Sequence, residues 1–273
     1  MTKAQLAQHI VEKQTYLCVG LDTDPAKLPV PLQKDPNGVI KFNQAIIDAT
    51  LDHCVAYKIN TAFYEAMGKK GWDVMEETLA YIPASHFTIA DAKRGDIGNT
   101  SAQYAKTFFE VLPFDAITVA PYMGEDSVRP FLEYTDKWTI VLGLTSNKGS
   151  ADFQQLALAD TGEYVFERVM KTVASWGNPG NLMFVVGATQ AEAFQPIRRA
   201  LPEHFFLVPG VGAQGGSLQE VSKMALNKDG GLLVNASRAI QYASSGEDFS
   251  LQAKAVASHY HLEMQQLLRE QGL

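Results

Sequence analysis

Two cysteines in 273 residues are too few for a disulfide framework. Both Cys18 and Cys54 sit inside apolar runs, where a small, reduced core residue is the expected role. Histidine is scarce as well, and His53, His86 and His204 show no short metal-ligand spacing, so no metal site is expected. No stretch reaches the ~18 uninterrupted apolar residues of a membrane span. Met1-Thr2-Lys3 leads into a polar–apolar mixture with no apolar h-region, so no signal peptide is expected either. These absences favour a cytoplasmic protein with no membrane partner. Positive charge is the minority sign, 23 Lys and Arg against 30 Asp and Glu, which argues against a general nucleic-acid surface. It leaves room for one small anion held by backbone N–H groups and a single arginine. No low-complexity linker interrupts the chain, and 46% apolar residues suffice for a sizeable core.

What is present is repetition. Short β-rich apolar runs recur at Thr15–Asp22, Cys54–Asn60, His86–Asp91, Asp115–Ala120, Trp138–Leu144, Asn181–Gly187, His204–Gly210 and Gly231–Ser237. Segments with helical spacing separate them, such as Val39, Phe42, Ile46 and Ala49, or Tyr164, Val165, Val169 and Val173 before the breaker Gly177-Asn178-Pro179-Gly180. Lys3–Lys13 reads as a helix capping the barrel bottom, and Leu251–Leu268 as the last outer helix. Alternation of strand and helix implies parallel strands with crossover helices. Eight repeats fit an α/β (β/α)8 TIM barrel, one domain over 1–273, better than an open doubly wound sheet.

In such a barrel, chemistry gathers at the C-terminal ends of the strands. That rule makes Asp115 and His204, at strand starts, structural. It brings Asp22, Lys58, Asp91, Lys93 and Arg238 to the top. In Asp91-Ala92-Lys93-Arg94-Gly95-Asp96, the residues Asp91 and Lys93 are two apart, so extended backbone points them to one side. Lys58 ends the neighbouring strand, about 4.8 Å away. Burial among apolar helices would be costly for all three, so the barrel mouth is the cheaper place. The plain alternative is a set of salt bridges that only closes the barrel top. The chemical alternative is an ammonium that stabilises a developing carbanion and then protonates it. Arg94 is expected to point the other way into a structural ion pair, and Trp72, Trp138 and Trp176 to pack.

A second constellation ends the last two strands. Val208-Pro209-Gly210-Val211-Gly212-Ala213-Gln214-Gly215-Gly216 is a glycine-rich loop, and Val234-Asn235-Ala236-Ser237-Arg238 follows on the next strand. Loops after strands seven and eight frequently bind phosphate in these barrels, and Arg238 supplies a bidentate donor. Together the two constellations suggest a phosphorylated, acidic substrate undergoing carbanion chemistry.

Asp91-Ala-Lys93-Arg-Gly-Asp96-Ile-Gly-Asn-Thr100 resembles the D-x-K-x-x-D-I-x-x-T signature of orotidine 5′-phosphate decarboxylases, with flanks similar to the longer bacterial branch. The resemblance runs from Val19-Gly20-Leu21-Asp22 to Arg238. It implies conversion of orotidine 5′-phosphate (OMP) to UMP and CO2, the last step of de novo UMP synthesis, with no cofactor. It implies a catalytic set of Lys58, Asp91, Lys93 and Asp96, with Lys93 as proton donor to C6. It also implies a homodimer with shared active sites, in which Asp96, Ile97 and Thr100 reach the neighbouring site. Asp22 and Lys58 would contact ribose hydroxyls, Ser146 the pyrimidine edge, and Gln214 and Arg238 the phosphate, with Pro209 at the same end of the substrate. Lys148 stands where many relatives carry Pro, and 23–37 and 148–160 are longer than in compact members; surface loops are expected there. A related group of metal-dependent sugar-phosphate β-keto acid decarboxylases shares D-x-K-x-x-D but has an acidic metal ligand in place of Lys58. The other rival is a barrel that binds a nucleotide without catalysis.

Overall fold

A computed structural model describes residues 1–212 and 215–273. Its eight strands are β1 (Leu17–Gly20), β2 (Ala56–Asn60), β3 (Phe87–Arg94), β4 (Ala116–Val119), β5 (Trp138–Leu144), β6 (Leu182–Val186), β7 (Phe205–Pro209) and β8 (Leu232–Ala236). They pair in parallel, each with the next, and β8 returns to β1, which closes the barrel. Both faces of each strand are covered, which is why runs such as Leu182–Val186 are buried throughout. The TIM barrel expected from the alternation is therefore present, with every strand boundary within three residues of its expected place.

The helices follow in chain order: α1 (Lys3–Lys13), α2 (Gly38–Thr50), α3 (Thr61–Glu65), α4 (Lys69–Tyr81), α5 (Gly98–Lys106), α6 (Glu125–Leu132), α7 (Ser150–Phe153), α8 (Val165–Ala174), α9 (Ala191–Ala200), α10 (Leu218–Ala225), α11 (Arg238–Gln241) and α12 (Phe249–Glu270). Helix α1 starts at Thr2, whose hydroxyl accepts from Gln5 N while the Gln5 side chain accepts from Thr2 N, a reciprocal cap. It buries Leu6 and Ile10. In α2 the core face carries Phe42, Ile46 and Ile47. In α8 it carries Phe166, Met170 and Val173, so the expected face through Val165 and Val169 is rotated by one position. The stretches expected to be plain loops hold structure of their own. Within 23–37 lie two 3-10 turns, Pro25–Lys27 and Val30–Leu32, and within 148–160 lies α7. No described helix is long and apolar enough to cross a membrane.

The bottom of the barrel is polar but closed. Asp115 accepts from Thr88 N and Oγ1 at 3.0 and 3.1 Å and pairs with the Met1 amine at 2.8 Å, the structural role expected of a strand-start carboxylate. His204 is buried beside the Phe184 ring. Cys18 and Cys54 are buried thiols. Trp138 packs edge-on to Phe87 and Phe205, whereas Trp72 is partly exposed beside Phe108.

Burial lowers the His86 imidazole to about 4, helped by the Lys13 ammonium 3.0 Å from its Nε2. Burial lowers His204 to about 4 as well, helped by Arg198. Unfolded, both titrate near 6.5. Below that value the unfolded chain binds protons that the folded chain refuses, so stability falls with pH between about 6.5 and 4. Urea unfolding across that window is expected to show the midpoint dropping with acid, and less steeply for His86→Gln. A flat profile would mean that these rings are not held neutral.

Candidate active site

The inward-facing positions at the top of the barrel follow from register. Gly20 on β1 pairs with Lys58 on β2, Asn60 with Asp91 on β3, and Pro209 on β7 with Asn235 on β8. Lys58 Nζ lies 3.1 Å from Asp22 Oδ1 and 3.0 Å from Asp91 Oδ2. Asp91 Oδ1 in turn lies 2.6 Å from Lys93 Nζ. The result is an alternating chain, Asp22–Lys58–Asp91–Lys93, that descends from solvent into the barrel and returns. Lys58 is only 3% exposed, while Lys93 at the end of the chain is half-exposed.

Burial alone would drive the Lys58 ammonium to lose its proton, but the Asp22 and Asp91 carboxylates outweigh it and raise its pKa above the ordinary lysine value. For Asp91, burial would raise the carboxyl, and the ammoniums of Lys58 and then Lys93 overcome that and hold it well below the usual range. A third contact completes Asp91: Thr118 Oγ1 on β4 donates to Oδ1 at 3.0 Å. The same hydroxyl accepts from Lys93 N at 2.9 Å.

Lys93 does not reach Asp91 by the two-residue alternation expected of an extended strand. Register between β3 and β4 shifts between Ala90 and Arg94, and Lys93 has φ of 45°, in the left-handed region. A bulge re-aims the side chain, and a non-glycine residue there costs roughly 1–2 kcal/mol. Strain of this kind collects at functional sites. Past the bulge, Arg94 turns away to pair with Glu65 and lie over the Tyr104 and Phe108 rings, the structural role expected of it.

Asp96 is not brought into the charge chain. Its Oδ1 accepts from Ile97 N, and its backbone carbonyl from Ser101 Oγ. Ile97 and Thr100, just before and inside the first turn of α5, are exposed, Ile97 by 55%. Within one chain, then, the charged set runs Asp22–Lys58–Asp91–Lys93 and leaves Asp96 outside it.

A cleft of about 140 Å³ opens beside this network, between Asp22, Lys58 and Asp91 on one side and Pro209, Gly210 and Arg238 on the other. Gly210 and Gly212 have φ of 95° and 70°, which turns the chain after β7 as only glycine does readily. Arg238 opens α11 as an exposed cation. Gln214 lies outside the described residues. Ser146 follows β5, and its carbonyl accepts from Thr189 Oγ1 at 3.2 Å; it does not line the cleft. A larger groove of about 670 Å³ between α8 and α9 carries Glu167, Glu192 and Glu220 with no cation among its lining residues, the wrong sign for a phosphate.

The sequence assigns no individual role to three contributors. Thr118, Asn235 and Ser237 are polar residues at or just after strand ends, and Thr118 and Asn235 interrupt apolar runs, which is the signal available in the sequence. Asn235 Nδ2 donates to Ser237 Oγ at 3.0 Å, and its buried Oδ1 has no partner among the described residues. Gly20 makes room for them: a Cβ there would lie 1.9 Å from Ser237 Oγ and 2.8 Å from Ser237 Cβ. Gly20→Ala is therefore expected to cost about 1–3 kcal/mol by overpacking. Adding Ser237→Gly should restore stability in urea titrations; a Gly20→Ala protein as stable as wild type would contradict the packing.

The family model described as "Orotidine 5'-phosphate decarboxylase / HUMPS family" matches residues 15–248. A relative from Phocaeicola vulgatus named orotidine 5′-phosphate decarboxylase is 55% identical over 271 residues, covering 98% of this chain and 99% of its own. One of the same name from Christiangramia forsetii is 55% identical over 267 residues, 97% of each chain. The solved OMP decarboxylase of Leishmania donovani superposes with a TM-score of 0.84 at 34% identity, over 98% of both chains. The matched segment spans all eight strands and both constellations, and the chain belongs to the orotidine 5′-phosphate decarboxylase / HUMPS family.

Proposed function

We propose that the chain, acting as one barrel domain over 1–273 in the cytoplasm, decarboxylates OMP to UMP and CO2 without a cofactor. The observation that carries this reading is the buried Lys58 ammonium between the Asp22 and Asp91 carboxylates. It neutralises the oxygens that a divalent cation would need, which favours the metal-free reaction over the sugar-phosphate β-keto acid chemistry of related barrels.

In this reading the phosphate lies against Arg238, Gln214 and the Pro209–Gly212 turn, and Asp22 and Lys58 meet the ribose hydroxyls. Ser146 meets the pyrimidine edge. Holding the remote phosphate contributes binding energy that is realised at the reacting carbon. The C6–carboxylate bond breaks, its electron pair stays on C6, and CO2 leaves. The Lys93 ammonium stabilises that pair and passes it a proton, after which the Lys93 amine regains a proton from solvent. Asp91, held by two ammoniums and Thr118, fixes where Lys93 stands.

We further propose a homodimer with shared sites, in which Asp96, with Ile97 and Thr100, completes the site of a second copy. Two observations support it. Asp96 joins none of its own chain's ion pairs among the described residues, and Ile97 shares the top of the barrel with exposed Tyr122 and Met123, whose Cε lies 3.8 Å from where a Gly95 Cβ would be. Neither nucleic acid nor a membrane belongs in this reading.

Loss of OMP absorbance is expected to be rapid in EDTA and abolished in Lys93→Ala; an inert wild type that still binds UMP would leave a nucleotide-binding barrel instead. Mixing Lys93→Ala with Asp96→Asn, each inactive alone, should restore about one quarter of wild-type activity, since half the random dimers carry one intact site of two. No recovery on mixing, in dimers shown to exchange, would overturn the shared site.

A further inference from the structure

Asp22 reaches Lys58 from a loop two residues beyond β1, so its placement depends on what holds that loop. Four backbone groups between Leu21 and Asp24 are held by side chains. Gln241 Oε1 accepts from Asp22 N at 3.0 Å, and Tyr64 OH donates to Leu21 O at 3.0 Å. Tyr242 OH accepts from Asp24 N at 2.9 Å and donates to Asp22 O at 3.3 Å. Behind the loop the chain of bonds continues. Gln241 Nε2 donates to Thr23 Oγ1 at 2.8 Å, Thr23 Oγ1 donates to Asn43 Oδ1 at 2.6 Å, and Asn43 Nδ2 donates to Tyr64 OH at 3.0 Å and Thr78 Oγ1 at 2.9 Å.

Thr23, Asn43, Tyr64 and Gln241 are fully buried. Because Gln241 must turn its oxygen to the Asp22 amide, its nitrogen must face Thr23. That hydroxyl then spends its one proton on Asn43, and Asn43 spends its two on Tyr64 and Thr78. The network has one self-consistent direction, and a buried network of this kind loses more than one bond when a member is removed. Its far end is α11, a single helical turn that begins with Arg238 and ends with Gln241.

We propose that Gln241 and Thr23 are positioning residues that couple the Arg238 turn to the Asp22–Lys58 pair. An anion held by Arg238 fixes α11, α11 fixes Gln241, and Gln241 fixes the Asp22 backbone. The inference rests on the decarboxylase reading for its substrate and takes that reading a step further, to how the phosphate end of the cleft is tied to its charged end.

The test compares Thr23→Val, which keeps the shape and loses the hydroxyl, with Thr23→Ser, which keeps the hydroxyl. Alongside them runs a double-mutant cycle of Gln241→Met with Arg238→Ala. Each is read in kcat, KM, UMP affinity and unfolding midpoint. Thr23→Val should lose at least about tenfold in kcat/KM and Thr23→Ser much less, and the double variant should lose about tenfold less than the product of the single losses. A folded Thr23→Val with wild-type kcat/KM, or losses that simply multiply, would overturn the coupling. Should Thr23→Val not fold, the Gln241→Met cycle decides alone. Because the cycle is also read in UMP affinity, a wild type that fails to turn over OMP sinks the proposed function without deciding the coupling.

Discussion

A single buried ammonium holds the upper barrel together. Lys58 lies between two carboxylates at 3.0 and 3.1 Å, and each of the three groups is tolerable in its place only because of the others. A charge taken out of water costs several kcal/mol unless it is paired and hydrogen-bonded. Lys58 joins β2 to Asp91 on β3 and to the loop after β1, and so fixes three adjacent segments around one point. Lys93 and Thr118 then extend the set toward solvent and toward β4.

The fold builds this arrangement with two departures from regular structure. One is the bulge that places Lys93 in the left-handed region, held by Thr118. The other is the Asp22 loop, irregular backbone whose polar groups are met one by one by Gln241, Tyr242 and Tyr64. Both put a charged side chain where an ideal strand end would not, and both are stabilised by neighbouring elements rather than by their own segment. A site made this way is preorganised: the groups that the proposed reaction sets against the developing charge are in place before a ligand arrives.

The parts of this design that follow from local pattern were legible in the sequence. Runs such as Leu182–Val186 announce strands buried on both faces, and their number announces the barrel. Lys58 and Asp91 were legible because a charge at the end of an apolar run has few affordable places to go. The family signature added the role of Asp96 and the dimer to the expectation, neither of which spacing alone supplies, whereas Arg238 was already marked by its place after the eighth strand. Less legible were features decided by distant residues. The approach of Lys93 depends on a β4 hydroxyl, and that of Asp22 on Gln241, more than two hundred positions along the chain. The rotated face of α8 and the short α7 turned on contacts that periodicity does not contain. Thr118 gives little signal in the sequence, because a single polar residue inside an apolar run announces no partner.

In the proposed reaction Lys58 is the pivot of a functional charge chain rather than a salt bridge that merely closes the barrel top. The most direct measurement is OMP turnover by Lys58→Met, with folding checked by circular dichroism and UMP affinity measured on the same sample. Lys58→Met leaves the Asp22 and Asp91 carboxylates without their shared ammonium and loosens the partner that places Lys93, so a folded variant is expected to lose on the order of a thousandfold in kcat/KM, about 4 kcal/mol of transition-state stabilisation. Turnover within tenfold of wild type would mean that Lys58 only closes the barrel top.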